Sequence, residues 1–143
     1  MTGRSLTTLA DVAPLFSRPL VVAVLGCHPQ PSRPAHYVPA WLVAHGHTVV
    51  PVNPRCVGTS LFGHAVVARL DELQVPVDVV DIFRRSEDVP GHLDEILGMR
   101  PLPKVVWLQS GIEHDEVCAR LRSEGVDTVE DRCMLADGQR LVP

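Results

Sequence analysis

Four arginines, Arg33, Arg55, Arg84 and Arg85, each follow closely on an apolar run in this chain. A guanidinium offers a rigid fork of donors to phosphate oxygens and keeps its charge at physiological pH. Helix N-termini after the same runs would add free backbone N–H groups. Together these residues make a phosphate-bearing ligand as good a reading as a solvated surface, whereas any one alone reads better as a surface arginine in an ion pair. A second candidate chemistry is a thiol. Cys27 and His28 are adjacent, and a thiolate beside an imidazolium at a helix start is a nucleophile. Sequence neighbours often face different ways, so the competing reading of Cys27 is a small packed residue. Asp78 and Asp81 are three apart. On a strand they point to opposite faces, which argues against joint acid–base work.

The elements that must position these residues follow from hydropathy. Residues 20–25 form an unbroken apolar run ending at Gly26, the pattern of a strand buried on both faces. Residues 48–52, 77–83, 104–108 and 127–130 read as four more strands. A helix is expected from Ala35 or His36 to His45, closed by Gly46, with Pro39 tolerated only in its first turn. Ser86 reads as the N-cap of a second helix whose buried stripe is Val89, Leu93, Ile96 and Leu97. Residues 110–113 fit a capping box opening a third helix that Gly125 ends. Residues 6–16 suggest a short edge helix, 63–67 an extended piece and 68–73 one helical turn. Alternating strands and helices predict an α/β fold: a doubly wound parallel sheet of about five strands with helices on both faces. Ligands of such sheets sit beyond the C-terminal strand ends, here the loops beginning at Gly26, Asn53, Phe83 and Gln109.

Composition sets the bounds. The 143 residues make one ordinary domain. The net charge of −4 and the lack of a Lys/Arg run oppose nucleic-acid binding. No apolar run approaches the ~20 residues of a membrane span, and no secretory signal is evident, so a cytoplasmic protein is expected. The four cysteines form no C-x-x-C pair and the seven histidines no ligand set, so no metal is expected. There is no P-loop and no G-x-G-x-x-G, and the second strand ends in Asn53 where an NAD site usually carries an acidic residue.

Several segments in order resemble one family. Residues 24–26 with Arg33 and Pro34, residues 51–54, 79–90, 105–112 and 131–133 are similar to the stand-alone CoA-binding proteins, related to the CoA-binding domain of succinyl-CoA synthetase α-subunits. The resemblance implies a Rossmann-like fold that binds coenzyme A or an acyl-CoA across the four loops. It implies that Gly26, Cys27, His28, Pro29, Ser32, Arg33 and Pro34 approach the pyrophosphate. By the same resemblance, Val52, Asn53, Pro54 and Arg55 flank the adenosine, with Arg55 near the 3′-phosphate. Phe83, Arg84 and Arg85 line the adenine or pantetheine, and Gln109, Ser110 and Gly111 the thiol end. The chain departs from the family at Ala35, where Ser or Thr is usual, and in residues 134–140.

The synthetases related to this fold use a phosphohistidine loop and an ATP-grasp partner, and neither pattern is present. The expectation is a non-catalytic CoA-binding, sensor or regulatory protein, alone, as a homodimer or beside an enzyme subunit. The alternative is a small NAD(P)-dependent oxidoreductase or thiol redox sensor using Cys27.

Overall fold

The computed structural model describes residues 2–142. Eight strands are present among them: β1 (Ser5–Leu6), β2 (Val21–Leu25), β3 (Thr48–Val52), β4 (Ser60–Leu61), β5 (His64–Ala65), β6 (Val79–Ile82), β7 (Val105–Leu108) and β8 (Asp127–Val129). Six form one parallel sheet in the order β1-β8-β7-β6-β2-β3. The chain leaves β2 for β3 on one side and then crosses to β6 on the other. The switch point lies between β2 and β6, where two adjacent loops diverge and open a crevice.

Alternation along the strands divides the interior into two layers. Ala23, Leu25, Val80, Ile82, Val106 and Leu108 face one side, under α3 (Leu93–Leu97) and α4 (Asp115–Ser123). Val22, Val24, Val79, Val105, Trp107 and Val129 face the other, under α1 (Leu9–Val12), α2 (Pro34–Ala44) and α5 (Met134–Leu141). The expected doubly wound sheet is thus present, with a sixth strand. That strand, β1, lies where a helix alone was expected; the helix is shortened to α1 plus a 3-10 turn at Ala13–Ser17. The extended piece near residue 64 is β5, paired with β4 in a small antiparallel hairpin.

Three local expectations fail for identifiable reasons. Pro39 lies inside α2, beyond its first turn. Having no N–H, it leaves the Ala35 carbonyl without its helical partner; that carbonyl accepts from His28 N–H at 3.1 Å. Ser86 caps no helix. The stretch Ser86–His92 winds as a 3-10 helix containing Pro90, and the Ser86 hydroxyl accepts from Glu113 N–H at 3.0 Å. The capping box at 110–113 is likewise absent: Gly111 turns into the left-handed region at φ 82, and α4 begins later with His114 as its cap. Among the described residues no helix is long and apolar enough to cross a membrane.

Candidate functional site

At the switch point, β2 ends in Gly26, whose φ of 91 is one that side-chain-bearing residues rarely adopt. A Cβ there would stand 2.7 Å from the Phe83 carbonyl oxygen and 2.9 Å from Arg84 Nη1. The absent side chain therefore lets the Arg84 guanidinium lie across the loop.

The loop after Gly26 is held from both sides. Asn53 Nδ2 donates to the Cys27 carbonyl at 2.9 Å, while Asn53 Oδ1 accepts from Arg55 N–H at 3.0 Å. His36 Nδ1 donates to the His28 carbonyl at 2.7 Å, and Gln30 N–H donates to His28 Nδ1 at 3.0 Å. An imidazole accepting at Nδ1 carries its proton on Nε2, so His28 is a donor on its other edge.

On the far side, Gln109 Oε1 accepts from Met134 N–H at 3.1 Å and seats the start of α5. Asp131 accepts from Gly111 N–H at 2.6 Å. Arg132 pairs with the buried Asp137 at 2.7 Å, and its carbonyl accepts from Trp107 Nε1 at 2.7 Å. Residues 131 and 132 are thus braces, and Cys133 alone of that motif reaches the cleft.

These loops enclose a cleft of about 1220 Å³, at the large end of ligand sites. Of the residues expected at the site, Gly26, His28, Arg33, Pro34, Asn53, Pro54, Arg55, Phe83, Arg84, Arg85, Gln109, Ser110 and Gly111 line it. Cys27 and Val52 are buried beneath it, and Pro29 and Ser32 are exposed outside its lining. Sequence reasoning missed Tyr37, Cys56, Asp88, His92 and Ile112, which line it together with Cys133. Tyr37 sits one turn into α2, where the helix start carried the only signal; His92 stands in a segment misread as regular helix.

The electrostatics run against the chain's overall acidity. The lining holds Arg33, Arg55, Arg84 and Arg85 against one carboxylate, Asp88. Arg85 is committed, pairing with Glu87 and Asp88 at 3.1 Å each. Arg33, Arg55 and Arg84 enter no salt bridge among the described residues. Burial, and next the neighbouring Arg55, push Arg84 below the ordinary arginine range. A half-buried cation in that state gains from an anion.

The carboxylate pair separates. Asp78 accepts from Val21 N–H at 2.8 Å and meets Arg18 and Lys104; burial opposes its charge, but these partners outweigh it and hold it low. Asp81 is fully buried with no partner for either oxygen among the described residues, and burial pushes its carboxyl well above the usual range. Burial also pushes the Cys27 thiol up to about 12. A neutral, buried thiol is a poor nucleophile, so the packed reading of Cys27 fits its surroundings.

Comparison with known proteins places this architecture. Protein YneT of Bacillus subtilis is 31% identical over 125 residues, covering 87% of this chain and 90% of that protein. A structure from Thermus thermophilus superposes with a TM-score of 0.88 at 45% identity, covering 94% and 98% of the two chains. Part of an acetyl-coenzyme A synthetase from Ca. Korarchaeum cryptofilum shares the fold, with a TM-score of 0.63 at 23% identity. That likeness covers 82% of this chain and 26% of the synthetase chain. Residues 21–139, from the first strand of the cleft through most of α5, match the model of the CoA binding domain, and the chain belongs to that family.

Proposed function

We propose that the cleft holds coenzyme A or an acyl-CoA, and that the protein is a non-catalytic CoA-binding protein with a sensor or regulatory role. The observation that carries this reading is Arg84: a half-buried guanidinium laid over Gly26, without a carboxylate partner among the described residues, beside Arg55. Coenzyme A brings a diphosphate and a 3′-phosphate, so it supplies the missing charge at more than one place along the cleft. The first loop offers the N-terminus of α2 and the His28 Nε2–H to the same anions. The opposite end, at Gln109 and Cys133, is where the pantetheine and thiol extend. A thiol reaction at Cys27 is disfavoured by that residue's burial and by its thiol raised to about 12.

Arg84→Gln tests the reading. Loss of one charge-assisted phosphate contact costs about 1.5–3 kcal/mol, or roughly ten- to hundredfold in CoA affinity. Folding stability should stay close to the parent's, because no ion pair is lost. Unchanged CoA affinity in the variant would remove the basis of the proposal.

A further inference from the structure

His92 lies outside the loops expected to bind ligand, yet it lines the cleft. Behind it stands Glu95, with a side chain 6% exposed. Both oxygens of that carboxylate are used: Oε1 accepts from Leu70 N–H at 2.9 Å, and Oε2 accepts from His92 Nδ1 at 3.0 Å. Burial opposes the charge on Glu95, but the bonds from His92 and Leu70 outweigh it and keep the carboxyl below its ordinary range. A carboxylate only accepts, so the proton in the pair is on His92 Nδ1. The other ring nitrogen, Nε2, has no partner among the described residues and is not sealed from solvent. It is the ring nitrogen left free to take a ligand.

The same wall carries Arg84, close enough to Arg55, Asp88 and Glu95 for their charges to act on it. Arg69 is near enough to Glu95 for its charge to act on that carboxylate too. Two guanidiniums side by side, with the nearest lining carboxylate taken by Arg85, leave a gap in charge that a phosphate closes. We propose that His92 is a third ligand of the phosphate group held by Arg84 and Arg55, and that it takes up one proton from solvent as that phosphate binds. The ring then bridges Glu95 and a phosphate oxygen as an imidazolium, with a charge-assisted bond on each side. No bond to phosphorus forms or breaks. This inference rests on the CoA reading above and adds to it a residue and a proton.

The test is titration calorimetry at about pH 8, where a phosphate monoester is already dianionic and takes up no proton itself. Coenzyme A and dephospho-coenzyme A are titrated in two buffers of different ionisation enthalpy, into the parent protein, His92→Gln and Glu95→Gln. The parent should show net proton uptake. His92→Gln should bind CoA about tenfold more weakly, without uptake. Glu95→Gln separates this from a merely structural role: its amide donates to Nδ1, the ring proton moves to Nε2, and the neutral ring still donates to phosphate. That variant should lose the uptake while keeping more affinity than His92→Gln. Uptake persisting with dephospho-coenzyme A assigns the diphosphate to His92, and uptake lost with it assigns the 3′-phosphate; both support the proposal. CoA binding with the same proton count in the parent and His92→Gln overturns the proposal and leaves the CoA reading standing. No binding of CoA to the parent overturns both.

Discussion

Asp81 should make the protein less stable as pH rises, and replacing it with asparagine should remove that loss. The residue sits on β6 between Val24 of β2 and Trp107 of β7, in the middle of the sheet. It is fully buried, and neither oxygen has a partner among the described residues. Burial pushes its carboxyl well above the usual range, so the folded chain keeps the proton. The unfolded chain releases it above about pH 3.9. Between those two values the native state binds more protons than the unfolded state, so stability is fully present at acid pH and falls as pH rises. The slope is about 1.4 kcal/mol for each pH unit over which only the unfolded chain is ionised. Asp81→Asn keeps the shape and has no proton to release. The stability gap between variant and parent should therefore widen in the variant's favour by about 1.4 kcal/mol per unit from pH 5 upward. Histidines titrating in the same range are common to both proteins and cancel in the difference. Urea unfolding at about pH 5, 6 and 7, at fixed ionic strength, measures the gap. A gap that stays constant would show that Asp81 is ionised in the folded state and would refute the reasoning.

Three further outcomes are expected. Gly26→Ala forces a side chain into a left-handed backbone and within 2.9 Å of Arg84 Nη1; it should cost about 1–2 kcal/mol of stability and weaken CoA binding as well, read by urea unfolding and calorimetry. Gly138→Ala places a Cβ 2.4 Å from the Trp41 ring, where α5 meets α2; overpacking there should cost about 1–3 kcal/mol, with CoA affinity in the folded protein little changed. Iodoacetamide at neutral pH should label Cys56 and Cys133, which are partly exposed in the cleft, while Cys27 stays unmodified until the protein unfolds, as peptide mass spectrometry would show.

The sheet was legible because parallel strands buried on both faces are continuous apolar runs, as at Val21–Leu25 and Val105–Leu108. The strand ends that carry the cleft followed from the topology those runs imply, and the arginines in those loops line it. What escaped depends on tertiary contacts. β1 has two residues and exists through its pairing with β8. α5 lies in the stretch noted only for departing from its family, and Gly138 in its middle is a poor helix former that allows close approach to Trp41 and Phe16. Arg85 and Arg84 are adjacent and identical in type, yet one is tied to two carboxylates and the other has none among the described residues; Glu87 and Asp88 around the 3-10 turn take the first, while the second lies over Gly26. His92 gave no pattern at all, since its partner Glu95 is set in place only when Leu70 N–H reaches that carboxylate, 25 residues away in sequence.

The central claim, that the cleft binds CoA, is tested most directly by thermal unfolding of the purified protein with CoA, acetyl-CoA and NAD at equal concentration. A ligand at about a hundred times its dissociation constant adds about 2.7 kcal/mol, enough to raise the midpoint by several degrees. The account predicts that rise with CoA or acetyl-CoA and none with NAD. A rise with NAD alone, or no rise with either CoA species, would contradict it.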